Sequence, residues 1–78
     1  MIELFCVSTA YNMQRVGEDY FESEKDANEY ATKLKQDFGG NEMVSINVKK
    51  TKWMSWDDFT LNAEMEKGFP IKFHKASN

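Results

Sequence analysis

Residues 23–40 read SEKDANEYATKLKQDFGG, and this stretch decides the fold class. Ala27, Tyr30, Ala31, Leu34 and Phe38 fall at i, i+3, i+4, i+7 and i+11, one apolar stripe of an α-helix. Glu24, Lys25, Glu29, Lys33 and Lys35 lie away from that stripe. Glu29 and Lys33 stand in the favourable i, i+4 order, worth about 0.2–0.5 kcal/mol. Ser23 with Asp26 three residues on resembles a capping box, in which a side chain satisfies a free N–H at the helix start. Gly39-Gly40 supplies the stop, because glycine adopts the left-handed backbone at low cost. The spacing predicts a helix over 24–38.

On the N-terminal side, IELFCVSTA (residues 2–10) is rich in β-formers. Leu4, Phe5, Cys6 and Val7 leave neither face polar, which suits a central strand. Tyr11 to Asp19 is polar and contains Gly17. It reads as a hairpin connection or an irregular second strand, with Glu18-Asp19 part of that polar connection. Tyr20 and Phe21 resume the apolar signal. On the C-terminal side, Val44, Ile46 and Val48 alternate with Ser45, Asn47 and Lys49, a half-buried strand that can run on to Trp53.

Residues 55–67 carry two signals. Phe59 to Glu66 alternates as a strand would. Ser55 with Asp58, the acidic pair Asp57-Asp58 at the positive end of a helix dipole, and the good helix formers Ala63 to Lys67 favour a helix over 56–67. Ile71 and Phe73 mark a short last strand. The fold expected is α+β: one domain over 1–78, with a three- to four-stranded, mainly antiparallel sheet. A long helix (24–38) and a second short helix (56–67) pack on it. The predicted core is Leu4, Cys6, Ala27, Tyr30, Ala31, Leu34, Phe38, Val44, Ile46, Val48 and Phe73.

Composition narrows the function. A chain of 78 residues allows one domain. With 41% hydrophobic and 29% charged residues it has enough apolar surface to fold. No apolar run approaches the roughly 20 residues of a membrane helix, so no membrane partner is expected. The opening MIELFCVSTAYN is too polar for a signal peptide. A single cysteine, Cys6, excludes an internal disulfide framework and a cysteine-based zinc cluster, and points to a cytoplasmic setting. The net charge of −3 argues against non-specific duplex binding, which neutralises many phosphates.

Catalytic patterns are sparse. His74 and Cys6 are the only residues of their types, and they form a nucleophile pair only if the end strands are neighbours. Asp57 and Asp58 on a helix point about 100° apart and do not converge. Gly39-Gly40 follows a helix, whereas phosphate-binding loops place glycines before one. The reading is a non-enzymatic protein with no metal and no cofactor.

The segment KKTKWMSW (residues 49–56) holds three lysines and two tryptophans. Lysines protect an edge strand and tryptophans close a small core. The same residues suit a protein interface, where Trp and Met are enriched. They also suit single-stranded nucleic acid, with lysines on phosphates and indoles stacked on bases. The candidate partner-binding residues are Lys49, Lys50, Lys52, Trp53 and Met54. By strand alternation Trp53 falls on the face opposite Val44, Ile46 and Val48. It is therefore expected to be the exposed, functional indole, with Trp56 packed beside Phe59 and Ala63. If this strand lacks a neighbour, two copies could pair edge to edge as a homodimer, against which the lysines argue.

The run Phe21, Ser23, Ala27, Tyr30, Ala31, Leu34, Gly39, Gly40 and Val44 to Val48 resembles short proteins encoded by bacteriophages, which share this strand–capped helix–Gly-Gly–strand order. The resemblance covers about 30 residues and implies a small accessory protein that binds and inhibits or modulates a host protein, such as a host enzyme. A nucleic-acid-binding protein built on Lys49–Trp56 is the alternative.

Overall fold

A computed structural model gives the structure, which describes residues 1–64 and 68–76. The elements run β1 (Ile2–Tyr11), β2 (Gln14–Phe21), α1 (Glu24–Asp37), β3 (Val44–Trp53), α2 (Trp56–Glu64) and β4 (Ile71–His74). The fold is α+β, as expected, with a four-stranded mixed sheet in the order β3-β1-β2-β4. β1 is central and antiparallel to both β2 and β3, while β4 joins β2 in parallel.

Local chemistry starts and stops the helices. Ser23 Oγ accepts from the Asp26 N–H at 3.0 Å, and Gly39 and Gly40 follow α1 at φ +58° and +77°. At α2, Ser55 Oγ accepts from the Asp58 N–H at 3.1 Å, and Asp58 Oδ2 accepts from the Met54 N–H at 3.0 Å. This reciprocal pairing is why helix prevails over the strand alternation of Phe59 to Glu66. The predicted last turn of α2, residues 65–67, lies outside the described residues.

The two helices cover opposite faces of the sheet. Side chains alternate along a strand, and the buried residues sort accordingly. Val7, Phe21, Ala27 and Ala31 form one cluster under α1, joined by Phe5, Tyr30, Leu34, Ile46 and Val48. Leu4, Cys6, Tyr20 and Phe59 form the other under α2, joined by Ile2, Trp53 and Ile71. The topology requires this division. The β2–α1–β3 crossover travels one way along the sheet and β3–α2–β4 travels back, so crossovers of one hand must use opposite faces.

The polar stretch after Tyr11 is a turn followed by the irregular second strand β2, one of the two expected alternatives. A two-residue turn at Asn12-Met13, both with positive φ, reverses the chain, and a register shift between Thr9 and Ala10 adjusts the pairing of β2. Glu18 and Asp19, read as a polar connection, sit instead inside β2 and are buried. Two expected core residues are corrected. Phe38 is exposed because it caps α1 where the helix ends, and Phe73 is exposed because it lies on the edge strand β4. Tyr30, Leu34, Val44, Ile46 and Val48 are half-buried rather than fully enclosed.

Candidate functional site

The lysine-rich strand β3 forms one edge of the sheet, with its residues divided between half-buried and exposed. Its register with β1 is unbroken over ten pairs, from Ile2↔Trp53 to Tyr11↔Val44. Alternation divides its charges. Lys49 lies on the α2 face, while Lys50 and Lys52 lie on the α1 face; all three are exposed. Lys50 Nζ is 3.9 Å from Glu3 Oε2, with both side chains about half exposed, so this pair contributes little to stability. The five predicted binding residues therefore form a ribbon around an edge rather than one patch. Met54, 79% exposed, ends that ribbon.

The two tryptophans exchange their expected places. Trp53 packs against the cluster under α2, with ring centroids 6.0 Å from Tyr20 and 5.3 Å from Phe59 in edge-to-face geometry. Its indole N–H donates to Thr51 Oγ1 at 2.9 Å, and that hydroxyl donates to the Leu4 carbonyl at 2.9 Å. The prediction assumed a sheet covered on one face only. Because α2 covers the second face, the position assigned to solvent is half-buried. Trp56 is 46% exposed and instead meets Phe73 edge-to-face at 5.3 Å. Phe59 lies beneath both, 6.2 Å from Trp56 and 6.0 Å from Phe73. Trp56 and Phe73 thus form an exposed aromatic pair seated on a closed aromatic cluster, a pair the sequence reading missed. Its signal in the sequence is Phe73, the Phe of the short last strand, which the spacing alone places in the core.

A second polar cluster joins residues distant in sequence. Asp19 Oδ1 accepts from His74 Nε2 at 2.7 Å. The His74 ring stacks on Phe21 with centroids 4.5 Å apart and planes 8° from parallel, and it lies 5.1 Å from Tyr30. Burial, and then the Asp19 carboxylate beside it, push the Tyr30 phenol above its ordinary value. On the other face Glu18 accepts from Arg15 Nη1 at 3.0 Å and from the Tyr20 hydroxyl at 3.1 Å. Burial pushes Tyr20 far up, with Cys6 and then Glu18 adding to the effect. Among the described residues every buried side-chain N or O has a partner. These groups therefore satisfy one another within the fold: Asp19–His74 fastens β4 to β2.

The Cys6–His74 juxtaposition is not formed. Cys6 is wholly buried on the α2 face, and burial raises its thiol. That is the opposite of a reactive thiolate. His74 faces the other side, and β2 separates β1 from β4, so the Cys6–His74 pair does not assemble. A shallow groove of about 200 Å³ opens between α1 and β2, lined by Thr9, Val16, Asp19, Tyr30, Phe38 and Lys72. It is smaller than the roughly 300–1,000 Å³ of ligand pockets. No group of three or more His, Cys, Asp or Glu converges among the described residues. No described helix is long and apolar enough to cross a membrane.

Comparison with protein families, with curated proteins and with solved structures finds no match. The site is therefore read from its own chemistry.

Proposed function

We propose that the protein is a small, non-enzymatic protein-binding module, of the kind that inhibits or modulates a host protein in the cytoplasm of a phage-infected cell. The exposed Trp56–Phe73 pair carries this reading. Trp on a rigid base is the residue type that most often anchors an interface. It buries a large area on binding and loses little side-chain entropy. Phe59 and the sheet hold the pair from below, so the surface is formed before a partner arrives. The nucleic-acid reading draws less support. Trp53, the indole closest to the lysines, is engaged edge-on inside the domain, and the lysines point to two faces.

The test is affinity capture from an extract of the encoding system, with and without nuclease. Wild type should retain one protein reproducibly. Trp56→Ala should stay folded and weaken capture by about 2 kcal/mol or more, roughly thirtyfold. Equal capture by wild type, Trp56→Ala and Phe73→Ala, all folded, would remove the aromatic pair from the interface. Loss of capture on nuclease treatment would return the assignment to nucleic acid.

A further inference from the structure

Sheet edges are ordinarily guarded. The usual devices are shortness, a proline, a bulge, or charges. β4, one edge of this sheet, is guarded by shortness, having four residues. The other edge is different. β3 has ten residues, reads VSINVKKTKW without proline, and keeps unbroken register with β1. Its one guard is charge: Lys49 on one face and Lys50 and Lys52 on the other. This guard is selective. It repels a basic strand, gives a neutral one no electrostatic gain and attracts an acidic one, because opposite charges on adjacent strands stabilise pairing and like charges oppose it. A second copy of β3 would add three more lysines to an edge with Glu3 as its acidic neighbour, so self-pairing is disfavoured by the same charges.

We propose that β3 is a strand-addition site that accepts an extended, acidic segment of a partner protein through its free backbone edge. Lys49 engages acidic side chains on one face of the added strand, and Lys50 and Lys52 engage those on the other. Backbone N–H and C=O groups supply the pairing, and the alternating lysines supply the selection. The inference rests on the reading of the chain as a protein-binding module, but not on the aromatic pair. β3 and β4 are opposite edges, so the two contacts can be tested apart.

Three ten-residue peptides in which Val-Val pairs alternate with Glu-Glu, Ser-Ser or Lys-Lys pairs, so that both faces of the added strand carry the test residue, serve as probes, with binding read by fluorescence anisotropy. The site is located by amide hydrogen exchange. The Glu–Val peptide should bind at least tenfold more tightly than the Ser–Val peptide, and the Lys–Val peptide should not bind. Bound Glu–Val should slow exchange at alternate residues of 44–53. The variant Lys49→Glu/Lys50→Glu/Lys52→Glu, at three exposed positions, should keep its circular dichroism and reverse the order of the peptides. The proposal is overturned if Glu–Val and Ser–Val bind equally, if neither binds, or if protection falls elsewhere. It is also overturned if the unliganded protein already sediments as a dimer with β3 protected. Tighter binding of a single-stranded oligonucleotide at the same lysines would assign the edge to nucleic acid instead. None of these results changes the capture by Trp56, which separates failure of this inference from failure of the broader reading.

Discussion

Trp53 and Trp56 stand three residues apart and do different work. Trp53 fills the space between Tyr20 and Phe59 and places its N–H on Thr51. Trp53→Ala should therefore cost about 3 kcal/mol, the low end for truncating a large core side chain, and lower the melting temperature sharply. A melt within a few degrees of wild type would show that the indole does not support the cluster. Phenol and thiol groups on both faces of the sheet give the fold a pH dependence. Tyr20, Tyr30 and Cys6 are all raised in the folded state, mainly by burial. Unfolded, they lose their protons at about pH 8.5–10. Above that range the unfolded chain binds fewer protons than the folded one, so stability present at neutral pH falls as pH rises. Urea midpoints should drop between pH 8 and pH 11, and Tyr20→Phe should show a shallower drop. The Ser23 cap was legible because its partner is three residues away. Asp19 and His74 were not, because 55 residues separate them and only the parallel docking of β4 brings them together.

At the level of elements, α1 was the most legible, because its stripe, cap and stop all lie within one continuous stretch. β2 was the least, since its outer half reads as loop: Gln14, Arg15 and Gly17 carry no apolar alternation. Its partner β1 imposes the strand on it. The turn between them explains part of the difficulty. Two-residue hairpin turns with positive φ at both positions favour Asn-Gly, and here the second position is Met13, at φ +67° and 96% exposed. A non-glycine side chain in that conformation costs roughly 1–2 kcal/mol. Met13→Gly should relieve this strain and raise stability by about 1 kcal/mol, after allowing for the greater freedom of glycine in the unfolded chain. Chemical denaturation measures it directly, and a loss of stability would mean that the Met13 side chain holds the hairpin.

For the whole molecule, the sequence supported a sheet with a long helix and a second short helix on it but not their placement on opposite faces. Coverage of the second face depends on where α2 returns, and that depends on strand order, which local periodicity does not encode. The sheet between the helices should also partition energetics. Ile46→Val under α1 and Phe59→Leu under α2 touch different clusters. Their destabilisations should add within about 0.5 kcal/mol. Phe59→Leu combined with Trp53→Phe, whose rings touch, should depart from the sum by 0.5 kcal/mol or more. Urea titration of the three single and two double variants decides it. Coupling as strong across the sheet as within the α2 cluster would show the domain to have one shared interior.

The wet outer edge of β3 has a counterpart in the chain's history after synthesis. β1 precedes the other strands and, among the described residues, is the one strand antiparallel to two others, so it is the template on which the rest assembles. β4 follows the other described elements, and its docking completes both faces at once: Phe73 under Trp56 on one side, His74 over Phe21 on the other. Until those four residues dock, Tyr20 and Phe21 border open water, and β2 is a second bare edge without lysines to guard it. The form lacking a docked β4 is thus the one most exposed to aggregation, and docking replaces the long β2 edge with one of four residues while the β3 edge stays as it was.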